Sequence, residues 1–156
     1  QIDSAERPTF DKEMMCMFTI DANTDFGARV LRRLRDEQVL WLTVVDRKNA
    51  PRSMPVWFLW DGETILIYSQ PNQLKIRSIE ANPNVDLHFN SDPGGGDVVV
   101  LLGQARVAPD APPAVDNSPF VEKYHEPIAG LGMTPQSFSD SYSTPILVTP
   151  TRLWGF

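Results

Sequence analysis

Disulfides within the chain are excluded, because Cys16 is its only cysteine. No apolar run reaches the ~18 residues that a membrane-spanning helix needs. The first eleven residues also lack the basic end and apolar stretch of a signal peptide. Together these absences set the expectation of a cytoplasmic protein. Histidine is scarce: His88 and His125 are the only two, and neither stands at metal-ligand spacing from the other or from Cys16. No metal is therefore expected. The Gly-x-Ser-x-Gly elbow of serine hydrolases is missing. Positive charge is in the minority, with 14 Lys and Arg against 20 Asp and Glu and a net charge of -6. That balance argues against a general nucleic-acid binder and against docking on anionic membranes.

What the chain does hold is enough material for one domain. At 156 residues with 42% hydrophobic content, it can bury roughly two-thirds of its unfolded surface in a core without metals or cross-links. Residues 1–23 read as an irregular extension, in which Met14, Met15, Met17 and Phe18 are apolar enough to dock on a core or a partner. The rest, 24–156, reads as one domain. A helix is expected over Phe26 to Glu37 with Asp25 as its cap, since Val30, Leu31 and Leu34 recur at helical spacing.

Strands are expected over 39–45, 52–60 and 64–69, forming a three-strand meander. The Asp61-Gly62 pair marks the second hairpin, because glycine tolerates positive φ. A helix should follow Ser69 and stop before Pro83. Val85, Leu87 and Phe89 alternate with Asp86, His88 and Asn90, giving a strand with one wet face. A long strand over 98–107 carries Gly103 as a bulge or close-contact site. After a proline-rich loop at 108–119 come short helices at 120–125 and 135–142, then strands at 146–148 and 151–154. The class is mainly β, and the strand count favours a barrel.

The stretch from Arg52 to Arg77 carries the chemistry. Strand, hinge and helix bring Lys75, Arg77 and a helix N-terminus beside an aromatic-rich strand. Unpaired amides, the macrodipole and two cations suit an anion such as phosphate. Ser69, Gln70, Asn72 and Gln73 surround that end with short polar groups. The bland alternative is a solvated basic face capped by Ser69 or Asn72. Within Ser53 to Trp60, Pro55 interrupts strand pairing and frees nearby backbone groups for the heteroatoms of a flat ring. Alternatively, Trp57 and Trp60 fill a core or a subunit contact. The leading reading is a phosphorylated, ring-bearing cofactor. No side chain stands out for covalent chemistry, so a cofactor would have to carry any reaction. The run Pro93-Gly-Gly-Gly-Asp97 is not a phosphate loop, because it leads into a strand and lacks the lysine and hydroxyl.

An ordered set of segments carries a family resemblance. They are Leu42 to Asp46, Pro55 to Gly62, Ile67 to Ser69, Lys75 to Arg77 and Ala81 to Val85, followed by Asp97 to Leu101, Gly103 to Val107 and Pro145 to Gly155. The chain resembles the pyridoxamine 5'-phosphate oxidase-like flavin and deazaflavin oxidoreductases, and among them the actinobacterial subgroup described as coenzyme F420-dependent. That resemblance implies an FMN-binding split β-barrel, a homodimer with cofactor sites at the subunit interface, and a phosphate site near Lys75. It implies ring contacts from Ser53, Met54, Pro55, Val56 and Trp57. It places Tyr68, Ser69 and Gln70 along the ribityl-phosphate and Trp154 within reach of the partner's site.

The activity implied is hydride delivery from reduced coenzyme F420 to a conjugated organic substrate. FMN in the same pocket is one alternative, and a non-catalytic cofactor or ligand binder is the other. The longer acidic tail of F420 would draw on Arg47, Lys48 or Arg52. Pyridoxamine phosphate oxidation itself is not expected, since the end of the chain offers only Arg152 where those enzymes carry an arginine-rich segment.

Overall fold

The computed structural model describes residues 18–156. Met14, Met15 and Met17 lie outside the described residues. Phe18 and Ile20 pack against the edge of the main core. The first helix, α1 (Asp25–Asp36), begins one residue earlier than expected. Its cap is Thr24, whose hydroxyl accepts the Gly27 amide at 3.0 Å. Asp25 sits instead in the first turn, where a carboxylate complements the helix dipole.

Seven antiparallel strands follow: β1 (Leu40–Val45), β2 (Pro51–Val56), β3 (Leu59–Trp60), β4 (Ile65–Ser69), β5 (Asn84–His88), β6 (Val99–Val107) and β7 (Thr144–Gly155). They form one sheet in the order β2-β1-β5-β6-β7-β4-β3. The expected meander is therefore corrected. The strand read over 52–60 is broken at Trp57 and Phe58, and its two pieces lie at opposite edges of the sheet. The break has a local cause. The Phe58 amide donates to the Tyr124 hydroxyl at 2.8 Å rather than to a neighbouring strand. A link of two residues reaches only about 10 Å, so the two sheet edges must come close together. The sheet curls into a barrel closed by covalent chain rather than by a ladder, which is the split.

Two expected C-terminal strands are one. Pro150 does not end β7, because it pairs with Gly103 where the β6–β7 register shifts. A Cβ on Gly103 would stand 2.7 Å from the Thr149 carbonyl oxygen, so only glycine lets the bulge close. The triple glycine, 94–96, connects β5 to β6 as read, with the Asp92 carboxylate accepting the Gly94 and Gly96 amides at 2.8 Å each.

Alternation places Leu40, Leu42 and Val44 of β1, Val85 and Leu87 of β5, and Val99 and Leu101 of β6 inside the barrel. Val30 and Leu34 of α1 and Ile76 and Ile79 of α2 (Leu74–Ala81) close it. Arg33, 8% exposed, ties α1 to the far side. Its guanidinium donates to the carbonyls of Asp97 and Asn90 at 2.9 and 2.8 Å and lies 4.7 Å from the Phe89 ring centroid.

A second, aromatic core lies under α3 (Ser118–Gly130) and α4 (Pro135–Ser141), with Tyr68, Phe120, Tyr124, Ile128 and Phe138 buried. Helix α3 runs beyond the expected 120–125, straight through Pro127. The buried Tyr124 and Ile128 on one face outweigh the hydrogen bond that proline forfeits.

Candidate cofactor site

The first turn of α2 divides the predicted site into two clefts. Gln73 caps the helix through its backbone, with no side-chain capping bond. The Ser69 hydroxyl is committed to the Gln70 carbonyl at 2.8 Å. Neither Ser69 nor Asn72 caps the helix as the bland reading had it. Residues two apart on a helix point to different sides, so Lys75 and Arg77 do not converge on one spot. Lys75 joins Pro55, Val56, Trp57, Leu131, Phe138 and Tyr142 around a cleft of ≈ 180 Å³. Arg77, with Leu74 and Ser78, faces a neighbouring cleft of ≈ 320 Å³ lined also by Asp46, Arg47, Lys48 and Arg52.

The second cleft is cationic by construction. The Asp46 carboxylate accepts the Lys48 and Ala50 amides at 2.8 and 3.0 Å and the Arg52 Nε at 3.0 Å. The Ala50 amide and the Arg52 guanidinium hold its carboxyl below the usual range. The acid thus organises the β1–β2 turn and anchors Arg52. Four cations face one carboxylate there. The Ser78 hydroxyl, on a residue 1% exposed, has no hydrogen-bond partner. An orphaned buried donor among cations fits the oxygens of an anion.

The first cleft is aromatic and nearly free of charge. Burial pulls the Lys75 ammonium below its ordinary value. Among the described residues no carboxylate pairs with it. Four near-parallel rings run through the wall: Tyr124 and Trp57 at 4.9 Å, Trp57 and Phe138 at 5.5 Å, Phe138 and Tyr142 at 4.4 Å. Trp57 reaches this position because its link leaves the sheet. The Tyr124 hydroxyl holds the link at Phe58, and Lys123 donates to the Phe58 carbonyl at 3.1 Å.

Other predicted residues lie elsewhere. The Ser53 and Thr43 hydroxyls share a 2.7 Å hydrogen bond, and Ser53 lines a third cleft with Trp41, His88 and Asn90. Met54 packs against the barrel interior. Tyr68 donates to the Pro112 carbonyl at 2.7 Å and accepts from the Asn117 amide nitrogen at 3.2 Å, and burial pushes its phenol up. Gln70 and Gln73 are exposed. Trp154, 49% exposed, pairs across β6 with Val100 and shares a cross-strand row with His88, Trp41 and Pro55.

Sequence reading missed Ser78, Leu131, Phe138 and Tyr142. A signal was present for part of this set: Phe120 and Tyr124, and Phe138 and Tyr142, each stand four apart, the spacing of one helix face. Among the described residues no group of three or more His, Cys, Asp or Glu gathers as metal ligands, and no helix is long and apolar enough to cross a membrane.

Comparison with known proteins places this geometry. No curated protein matches the sequence. Among solved structures, an "F420 Reductase" superposes with a TM-score of 0.62 at 24% identity, covering 79% of this chain and 94% of its own. A Listeria innocua protein provisionally named pyridoxamine 5'-phosphate oxidase gives 0.59 at 25% identity, covering 81% and 94%. The heme storage protein HutZ from Vibrio cholerae shares the fold at 13% identity, with a TM-score of 0.58 and coverage of 88% and 95%. The family model described as pyridoxamine 5'-phosphate oxidase matches residues 26–155. With that match spanning the barrel and both clefts, the chain belongs to the pyridoxamine 5'-phosphate oxidase family and carries its flavin-binding split-barrel fold.

Proposed function

We propose that this protein is an oxidoreductase that uses a phosphorylated deazaflavin, coenzyme F420, to reduce a conjugated organic substrate. One observation carries the reading. The start of α2 separates a cleft with four cations and an unpartnered Ser78 hydroxyl from an aromatic cleft containing the desolvated Lys75. A ligand with an anionic end and a flat end matches that pair of surfaces. Lys75 and the first turn of α2 would hold the phosphate, and backbone groups around Pro55 to Trp57 would border the ring. The cofactor, when bound, supplies the hydride. The chain's own residues bind and orient it.

The charge count favours the deazaflavin over FMN. Arg47, Lys48, Arg52 and Arg77 against Asp46 leave a formal surplus of three in the cleft that does not contain Lys75. The acidic tail of F420, beyond the phosphate, uses that surplus, whereas FMN has no group to place there. The aromatic cleft offers no carboxylate or histidine as proton donor, which leaves solvent or a polar side chain of the lining, Lys75 or Tyr142, to complete the reduction. The same lack favours, as a second reading, a protein that binds its cofactor without turnover.

A second copy of the chain is the proposed partner, covering the outer sheet row that runs from Pro55 through Trp41, His88 and Val100 to Trp154. An exposed tryptophan at the end of such a row suits an interface centre. Light scattering should then report a dimer, and Trp154→Glu a monomer.

Side-by-side fluorescence titration with F420 and FMN tests the assignment. F420 should bind more tightly, and Lys75→Ala should weaken it by about 1.5–3 kcal/mol, the range for a charged hydrogen bond. Unchanged affinity in that variant defeats the phosphate assignment. Tight binding with no turnover on quinones, nitroaromatics or tetrapyrroles supports the storage reading instead.

A further inference from the structure

Lys123 lies in neither cofactor cleft. It lines a separate cleft of ≈ 630 Å³, whose apolar wall is Leu31 and Leu34 of α1 with Leu59 and Trp60 of β3. That cleft shares no lining residue with those of Lys75 and Arg77. We propose that it is a second, covalent binding site, in which the Lys123 amine captures an uncharged aromatic aldehyde as an imine. The proposal goes beyond the cofactor reading and does not depend on it.

Geometry prepares the amine. Its Nζ stands 3.9 Å from the Phe58 ring centroid and 5.4 Å from that of Tyr124, and it donates to the Phe58 carbonyl at 3.1 Å. Among the described residues no carboxylate forms an ion pair with it. Burial outweighs the longer-range pull of Asp36 and Glu37, at the end of α1, and brings the ammonium down to about 8. At neutral pH such a lysine holds ~200-fold more neutral amine than an ordinary one. A desolvated lysine of this kind is a nucleophile towards carbonyl carbon.

The step balances within the two reactants. The amine lone pair adds to the aldehyde carbon, and the carbonyl oxygen takes up a proton to give a carbinolamine. That oxygen then leaves as water with the two hydrogens that the amine brought, and a C=N bond remains. No oxidant or reductant is consumed. The Phe58 carbonyl is not orphaned when it loses the amine, because the Tyr124 hydroxyl lies 2.7 Å from it.

Charge and shape set the class of aldehyde. Arg35 of the cleft wall is held by Asp36 at 2.7 and 2.9 Å. The Asp61 carboxylate accepts the Glu63 and Thr64 amides and the Thr64 hydroxyl. Glu122 is solvent-exposed, where pairing adds little. Once Lys123 is neutral the wall has no free cation for an anionic aldehyde. The partly buried Trp60 offers a ring face, and the leucines extend it with apolar surface. A cavity of about 150 Å³ accepts a benzene ring, so this larger cleft admits one with its carbonyl directed at Lys123.

Reductive trapping on the full chain tests the site. With benzaldehyde and cyanoborohydride at neutral pH, peptide mass mapping should find the adduct at Lys123, formed about tenfold or more faster than at Lys48 or Lys75. Its rate should saturate with benzaldehyde. Trp60→Leu should slow it about fivefold, the scale of one lost aromatic contact, and leave acetylation of Lys123 by acetic anhydride unchanged. Urea midpoints verify that the variant folds. Competitive acetylation of the parent across pH should give Lys123 a midpoint well below the ordinary lysine value. Adducts spread evenly over Lys48, Lys75 and Lys123 overturn the proposal. So does a Lys123 adduct that grows linearly with benzaldehyde and ignores Trp60→Leu, which would mark a reactive amine without a binding cleft. Suppression of the adduct by F420 or FMN would place it in the cofactor's own site and overturn the proposal too. Saturable trapping at Lys123 in a chain that binds neither F420 nor FMN would sink the cofactor reading and leave this site standing.

Discussion

Replacing Tyr124 by phenylalanine removes one oxygen atom from the place where the barrel seam is held. That hydroxyl accepts the Phe58 amide at 2.8 Å and lies 2.7 and 2.8 Å from the carbonyl oxygens of Phe58 and Gln38. Its single proton serves one carbonyl at a time. In the variant, the Phe58 carbonyl keeps the Lys123 ammonium at 3.1 Å. The Phe58 amide keeps nothing, and Phe58 is fully buried. An orphaned buried donor costs about 1–3 kcal/mol, and the ring stack with Trp57 survives because the aromatic ring is retained. The expected loss is therefore about 2 kcal/mol. With a urea m-value of about 2 kcal/mol/M for a domain of this size, the midpoint should fall by roughly 1 M at unchanged m. Tyr124→Ala, which deletes the stacked ring as well, should lose about 3–5 kcal/mol. A Tyr124→Phe midpoint within about 0.25 M of the parent, equivalent to some 0.5 kcal/mol, would refute the claim that this hydroxyl holds the split barrel at its seam.

Three further outcomes follow from other contacts. Arg33→Met should cost about 1.5–3 kcal/mol, the range for hydrogen bonds to a charged group, because the Asn90 and Asp97 carbonyls lose their donor; a denaturation midpoint equal to the parent's would show that water replaces the guanidinium at no cost. Gly103→Ala should destabilise by about 1–3 kcal/mol, since its Cβ collides with the Thr149 carbonyl, and thermal melting would show a parent-like Tm if β7 can shift instead. Burial lowers the Lys123 ammonium to about 8 from an ordinary value near 10.5. Between those values the unfolded chain holds the extra proton, so this group adds stability as pH rises. Urea midpoints at pH 7 and 9.5 should accordingly move in the parent's favour relative to Lys123→Met, and a pH-independent difference would exclude this titration.

Elements with strong local signals were legible. Helix α1 follows the 3.6-residue pattern of Val30, Leu31 and Leu34, and β5 follows strict alternation. The Asp61-Gly62 hairpin formed as read, with Gly62 at φ 104 and the Asp61 carboxylate accepting the Glu63 and Thr64 amides. The break at Trp57 was not legible. It depends on Tyr124, 66 residues away, whose hydroxyl takes the Phe58 amide out of the ladder. Helix α3 was read too short because Pro127 is a local stop signal, and the buried face that overrides it forms only in the folded chain.

The candidate site divides in the same way. Residues 52–77 supplied the cations, the aromatic strand and the helix start, because residue type and helix spacing are properties of the sequence itself. Helical spacing also separates Lys75 from Arg77, and that much could be worked out on paper. Which surface each cation meets could not. Only the curling of the sheet brings the 131–142 segment against Trp57, and only the β1–β2 turn brings Arg47, Lys48 and Arg52 against Arg77. Chemistry along a chain is local, whereas the walls of a cleft come from segments that meet only when the barrel closes.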